Sequence, residues 1–562
     1  MARSRLVLVL LSALPFAVLV AYVATHAVNA PWGEGWDYAR TLIIPTYDGT
    51  LNVGELYAQY LDHRIVVSKL LMVAYTHLTR WDTRSHSVVA LLQAVTMFAF
   101  AVAMFARGNR AGAWVVAVPF SMLIFAVNLA TVWLRPYNDT LFPFVFLTVG
   151  AWVMTAGRPS WRNLIGTAVC ATGATFSTMI GLLMWGTMVP GLWAAGYRKA
   201  RYFGIWLLLA GLNLAAYSIG FQFSKLTQFG ASRVDVASFA LAILGSAFSR
   251  SVPIAVATAV VGLSLATFDL FLLRHLPDFW RRVSGWVSLL VYAPASAVAT
   301  AAGRAHLGTW YAVQVPHYTL ISVCLWMAII ALSVMTIQEV VNDRRRVTLT
   351  VNLTVLVALV PLYAWVNVEA ARHFTQLGIT YGPTAADEDC LRRTVITDEK
   401  GCFHDRYWFG AYHAPVNYEL ARRRLGTFGR MEHIAATLPP EYRPSDRIVV
   451  YAPLAAQHVP LADGAGRTVP AGDILRIMAE DQRGLFLLDA PPGALTVTAS
   501  TLPASVDSFA NGASRIWYLA TSEDPATEAA LQRTLAPSTI QLDQAGRHRL
   551  LYPVARLFQR RP

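Results

Sequence analysis

Apolar residues gather into long unbroken runs over the first two thirds of the chain, without the strict alternation of strands. A helix needs roughly 20 such residues to cross a bilayer. Stretches that approach this predict eleven spans, at 6–28, 86–106, 111–130, 139–156, 163–177, 178–197, 202–221, 252–273, 286–303, 318–338 and 348–368. The runs 163–177 and 178–197 abut at Ser177 and read equally as one broken hairpin. The first run begins after Arg3 and Arg5 and ends in AVNA, a signal-like cleavage sequence, but its length favours an uncleaved helix. From about 369 the pattern shortens: DRIVVYAP, GLFLLDAP, LTVTAS and RIWYLATS predict strands, and 472–481 and 523–535 predict helices. The expected fold is a polytopic α-helical membrane module, 1–368, followed by an α/β domain, 369–562.

Charge refines this picture. Only 14% of residues are charged, against about 25% in soluble domains. The net charge of +13 would suit a polyanionic partner, but its distribution argues against nucleic acid. Residues 1–368 hold 25 Lys and Arg against 12 Asp and Glu, whereas 369–562 hold 21 of each. With a cytoplasmic N-terminus, the inner ends of the predicted spans carry Arg3 and Arg5; Arg107 and Arg110; Arg158 and Arg162; Arg198, Lys199 and Arg201; Arg274, Arg281 and Arg282; and Arg344 to Arg346. These 15 cations face only Asp278, Glu339 and Asp343, which is the positive-inside signature. It places the 29–85 loop, the 222–251 and 304–317 loops and the C-terminal domain outside. Cys390 and Cys402 in that domain are candidates for a disulfide or for two free thiols; Cys170 and Cys324 lie in spans.

The 29–85 loop is the richest in candidate chemistry, and long structured loops are commonly functional. Its opening PWGEGWDYAR sets Glu34 and Asp37 among Trp32, Trp36 and Tyr38. This reads either as an aromatic belt with two solvated acids or as a general base held at the membrane surface. Further on, Ile65, Val66, Leu70, Val73 and Leu78 recur at near-helical spacing with Asp62, Arg64, Ser68 and Lys69 between them. That pattern predicts an amphipathic interfacial helix whose Arg64 and Lys69 meet lipid headgroups or a lipid-linked phosphate. In LRPYNDTLFPF, Asn138 or Asp139 suits a helix cap, and Asp139 suits equally a second site carboxylate beside Arg135. Arg304 and His317 edge the next outer loop as snorkelling side chains or phosphate ligands. Asp269, near the inner end of its span, is expected to pair with Arg274 or to face water. The chain has no P-loop, no GxGxxG after a strand and no DxD in a cytoplasmic domain. Its inner loops are too short to bind a nucleotide sugar.

Taken together, the first span, the acid soon after it, the interfacial helix, the LRPYNDTLFPF turn and the outer α/β domain resemble the GT-C class of polyprenyl-phosphate-sugar-dependent glycosyltransferases. The resemblance implies a bacterial inner-membrane enzyme that moves a sugar from a polyprenyl-phosphate donor to a glycan or lipid-linked acceptor on the outer face. It implies Asp37 as catalytic base with Glu34 second, Asp139 as a further site acid, and inversion at the anomeric carbon. The donor phosphate would sit among Arg64, Lys69, Arg135, Arg304 and His317. A divalent cation, Mg or Mn, would fall to Asp37 and Asp139 if one is used. The chain departs from mannosyltransferase-like members in lacking a paired Asp-Glu in the first loop. The aromatic run from Phe403 to Tyr412 reads as core or as an acceptor-stacking surface. Competing expectations are a lipid-linked glycan polymerase or ligase, a transporter or flippase, and a non-catalytic assembly partner.

Overall fold

The computed structural model describes residues 2–376 except 32, 111, 135–139, 277 and 343–345. Beyond 376 it describes eight strands, 419–421, 423–430 and the single positions 388, 391, 416, 529 and 533. The chain opens with α1 (Ala2–His26), followed by the short helices α2 (Gly35–Tyr38), α3 (Ile44–Asp48) and α4 (Val53–Tyr57) and by α5 (Val66–Thr79). Next come α6 (Arg84–Gly108), α7 (Ala113–Ile124), α8 (Ala130–Leu134), α9 (Phe142–Met154), α10 (Trp161–Thr175), α11 (Met184–Ala194) and α12 (Ala200–Ser218). The helical part ends with α13 (Arg233–Gly245), α14 (Val252–Leu273), α15 (Phe279–Arg304), α16 (Thr309–Gln314), α17 (Thr319–Asn342) and α18 (Arg346–Gln376).

Among the described residues, seven helical segments are long and apolar enough to cross a membrane: Arg5–His26, Arg84–Gly108, Ala113–Leu134, Val252–Leu273, Phe279–Leu307, Pro316–Glu339 and Leu349–Arg372. The protein is therefore a polytopic helical membrane protein. The other four predicted spans correspond to α9, α10, α11 and α12, which fall short of that criterion in length or hydropathy. The expected break near Ser177 is present. After α10 the chain reverses at 176–178 and continues as a 3-10 turn over Met179–Leu183 before α11. The reversal is tight enough that a Cβ at Gly181 would lie 1.8 Å from the Ala174 carbonyl oxygen.

Two compact units divide the chain, and not at residue 368. One contains 1–27, 56–71 and 84–382; the other contains 28–55, 72–83 and 383–562. Most of the loop expected to belong to the membrane module thus groups with the C-terminal residues.

The helical unit packs around a continuous apolar core that includes Phe105, Phe120, Trp133, Trp206, Trp286 and Trp326. Small residues bring helices close where lipid offers no hydrophobic drive. A Cβ at Gly245 would sit 1.8 Å from the Ala255 carbonyl oxygen, so α13 and α14 touch backbone to backbone there. The polar connections sort to two ends. At one, Arg107 donates to the Trp152 carbonyl, Arg281 Nη2 donates to the Gly157 carbonyl at 2.7 Å, and Asn109 bonds Gln338. At the other, Tyr57 donates to the Ala216 carbonyl, and Arg304 Nη1 donates to the Leu226 carbonyl at 2.7 Å.

In the second unit, Asn29 Oδ1 accepts from the Thr83 backbone N–H at 2.8 Å, and the Asn29 N–H donates to Glu388 at 3.1 Å. Arg423 forks onto Asp48 at 2.7 and 2.6 Å and also pairs with Glu419. Burial alone would push the guanidinium down, but these two carboxylates hold it above its ordinary range. Arg80 and Trp81 both adopt positive φ, at 53° and 59°. The turn is fixed by the Arg80 carbonyl, which accepts from Gly426 N–H at 2.9 Å, and by the complete burial of Trp81.

The strands are β1 (Glu432–Ala435), β2 (Arg447–Tyr451), β3 (Ile474–Glu480), β4 (Gly484–Asp489), β5 (Leu495–Val497), β6 (Arg515–Ala520), β7 (Thr539–Gln544) and β8 (Val554–Arg560). They form a three-stranded sheet, β1-β4-β3, and a five-stranded sheet, β5-β2-β6-β8-β7. All four strands expected from the sequence are present. The helix expected at 472–481 is instead β3, paired antiparallel with β4 from Ile474 opposite Asp489 to Glu480 opposite Gly484. ILRIMAE fits either period, and cross-strand pairing decides it. The helix expected at 523–535, the Cys390–Cys402 pair and the Phe403–Tyr412 run lie outside the described residues, single positions apart.

Candidate functional site

Glu34 and Asp37 belong to the second unit. Glu34 occupies the N-cap position of α2 and Asp37 its first turn, so the two acids lie three residues apart on one helical face. Both are half-buried, and Asp37 is flanked along the chain by Trp36 and Tyr38, which are 4% and 2% exposed. The helix does not stop at Tyr38 but passes into a π-helical turn, Ala39–Ile43, and then α3. Pro45 accounts for the change of winding: it has no N–H to give the Thr41 carbonyl, and its ring would strike that carbonyl in a regular α-turn. Such π-turns often mark functional sites. The Asp37 carbonyl accepts from Thr41 Oγ1 at 2.7 Å, which fixes its backbone. Gly49 at φ 70° closes α3.

The helical unit contains the cations predicted for phosphate, and it brings two of them into one polar knot. Asp62, 3% exposed, accepts from Ser224 N–H at 2.7 Å, Ser224 Oγ at 3.0 Å, Thr227 Oγ1 and Arg304 Nη2 at 2.9 Å. Burial alone would raise its pKa; the donors from Thr227, Ser224 and Arg304 outweigh that and hold the carboxyl below its ordinary value. Arg64, also 3% exposed, gives Nε to the Tyr217 carbonyl at 2.7 Å, Nη1 to the Tyr57 carbonyl at 2.8 Å and Nη2 to the Ile219 carbonyl. Its guanidinium lies over the Tyr57 ring at 4.4 Å. Two of those carbonyls close α12, where a cation complements the helix dipole. Arg64 is therefore a clamp between segments of the unit, its donors turned to backbone oxygens.

His63 lies between these groups. The Met179 N–H donates to its Nδ1 at 3.2 Å, which assigns the proton to Nε2. Burial, opposed by Asp62 and reinforced by Arg304, lowers its pKa to about 4.

Lys69 departs from its expected place at the headgroups. It is 6% exposed and donates from Nζ to the Ala58 carbonyl at 2.7 Å. The buried face of α5 carries Ser68, Lys69, Met72 and Thr76, whereas Leu70 and Leu78 are 52% and 82% exposed. The helix forms over the predicted stretch, with Leu70 and Leu78 of its apolar set exposed. His317 is half-buried in the 3-10 turn Pro316–Tyr318, edge-on to Tyr318 at 4.7 Å, and this turn packs on α8. Arg135 and Asp139 lie outside the described residues. Among the described residues, no three His, Cys, Asp or Glu side chains are grouped to hold a metal ion.

Sequence reasoning did not pair Asp62 with Arg304. The two are 242 positions apart, and the only local signal was an Asp-His-Arg run in an otherwise apolar stretch. Asp269 is neither paired with Arg274 nor open to water. It is fully buried, and Arg274 lies over the Phe271 ring at 3.8 Å instead.

Compared with known proteins, the chain matches no family model and no curated sequence.

Proposed function

We propose that this protein is an integral-membrane glycosyltransferase that takes a sugar from a polyprenyl-phosphate donor and passes it to a glycan or lipid-linked acceptor. The observation that carries this reading is the half-buried Glu34 and Asp37 pair. It is set on one turn with buried aromatics, in the connection between the first two membrane-length helices. A general base needs this combination of fixed backbone, partial desolvation and an open side. The resemblance to the GT-C class points the same way. Sorting of the basic loops to one end of the helical unit supports a cytoplasmic N-terminus and an outer position for this connection, in a bacterial inner membrane. On that reading α9, α10, α11 and α12 complete eleven spans.

In the proposed reaction the acceptor hydroxyl attacks the anomeric carbon as Asp37 takes its proton. The new C–O bond forms while the bond from the anomeric carbon to the phosphate oxygen breaks, its electron pair leaving on polyprenyl phosphate. One displacement inverts the anomeric centre. Arg135 and His317 remain the proposed phosphate partners. Arg64, Lys69 and Arg304 shape the helical unit instead, because their donors already meet carbonyls and, for Arg304, Asp62.

The test uses the full chain in nanodiscs with short-chain polyprenyl-phosphate hexoses and pentoses and a cell-envelope acceptor extract, reading release of polyprenyl phosphate. Asp37→Asn is expected to lower turnover by about 10²–10⁴-fold with protein level unchanged. Full turnover in that variant rejects the base, and no release from any donor rejects the class.

A further inference from the structure

Asp269 presents a separate problem. It lies in the second-last turn of the membrane-length helix α14 and is fully buried. Ser333 Oγ on α17 donates to its Oδ2 at 2.7 Å. Thr336, one turn further along α17, and Asn352 on α18 face the same carboxylate. Ser333, Thr336 and Asn352 are all 1% exposed or less. Among the described residues no Lys, Arg or His forms an ion pair with it, and Asp269 Oδ1 and Thr336 Oγ1 have no hydrogen-bond partner. A single uncompensated carboxylate inside a membrane bundle costs several kcal/mol. Something must neutralise it.

The surroundings narrow the choice. Each of the four converging side chains carries an oxygen: one carboxylate, two hydroxyls and one side-chain amide, supplied by three helices. Oxygen-only sets select hard cations. One carboxylate balances one positive charge, and a divalent ion would leave an excess charge buried. A cavity lies close by, at the arginine-rich end of the unit. A cavity of about 70 Å³ is lined by Asn109, Leu273, Met335, Gln338 and Glu339, with Leu273 one turn beyond Asp269 and Met335 two residues beyond Ser333. That volume holds a few waters, and Glu339 at its edge is 42% exposed.

We propose that Asp269, Ser333, Thr336 and Asn352 form a monovalent cation site for Na⁺, pinning α14, α17 and α18 together. The site is independent of the glycosyltransferase reading. A ligand that binds only the folded state raises its stability, so the thermal midpoint of the full chain in nanodiscs should climb by several degrees from choline chloride to NaCl at equal ionic strength. The rise should saturate, and ²²Na⁺ should bind at one ion per chain. Asp269→Asn, which keeps shape and removes charge, should abolish the rise and the bound ion. Thr336→Val should weaken Na⁺ affinity by about tenfold, a one-partner loss of about 1.4 kcal/mol, and it keeps the test open if the Asn variant fails to fold. A wild-type midpoint indifferent to Na⁺, or a rise retained in both variants, overturns the site. A midpoint that follows pH but not Na⁺ assigns the charge to a proton and also overturns it.

Discussion

Asp62 and Asp269 are both carboxylates with almost no exposure, yet the protein treats them in opposite ways. Asp62, in the connection between α4 and α5, has four donors, one of them a guanidinium nitrogen 2.9 Å away. Asp269, near one end of the apolar helix α14, accepts from a serine hydroxyl at 2.7 Å and, among the described residues, has no cationic side chain in an ion pair with it. The first charge is satisfied by the chain itself. The second, on the proposal above, is balanced by a cation from outside. Buried carboxylates in one protein can therefore differ in kind: one closes the fold, and the other waits for a partner.

The largest expected effect tests the first half of this contrast. Arg304→Ala leaves Asp62 buried without its counter-ion, which costs about 3–5 kcal/mol. The thermal midpoint should fall steeply, and Arg304→Lys should recover only part, because an ammonium cannot reach Asp62, Thr227 and the Leu226 carbonyl at once. A small loss in the alanine variant would mean that Ser224 and Thr227 suffice and that the pair is dispensable.

A second effect comes from His63, whose pKa falls from an ordinary 6.5 to about 4 in the folded state. Between those values the unfolded chain binds more protons, so stability is fully present above about 6.5 and is lost as pH falls toward 4. The whole shift corresponds to about 3 kcal/mol; partial exposure of the ring reduces the expectation to about 1–2 kcal/mol. Asp62 adds nothing in this window. Its folded value lies below its unfolded one, so its contribution persists until more acidic pH. Midpoints from pH 7.5 to 4.5 should decline in the wild type and flatten in His63→Gln. Parallel curves would remove His63 from the knot.

How much of this was legible in the sequence depended on distance along the chain. Runs such as 252–273 and 318–338 declare themselves, because a bilayer demands continuous apolarity and nothing distant can overrule it. RIWYLATS announced β6, but ILRIMAE did not announce β3, since its partner GLFLLD decides between two periods the segment fits equally. The acid pair Glu34 and Asp37 was readable as a local pattern. Lys69 was misplaced because the Ala58 carbonyl that holds it comes from a turn the pattern could not foresee. Asp62 met Arg304 only through folding across 242 positions. Arg274, five residues after Asp269, was the natural partner by proximity, and proximity misled: an exposed guanidinium at the end of α14 gains more from solvent and the Phe271 ring than from desolvation.

That last point yields the smallest effect, and the one that discriminates most sharply. If Asp269 is neutralised by an external cation, Arg274→Ala removes only an exposed stacking contact, worth below about 1 kcal/mol. The variant should keep the wild-type midpoint within a degree or two and should keep the full response to Na⁺. If Arg274 instead compensates Asp269 through the field between them, the same substitution should destabilise the protein as Arg304→Ala does and change the Na⁺ response as well. Side by side, the two arginine variants ask whether each buried carboxylate has its own guanidinium. The geometry answers yes for Asp62, at 2.9 Å from Arg304, and no for Asp269, whose sequence neighbour turns to an aromatic ring.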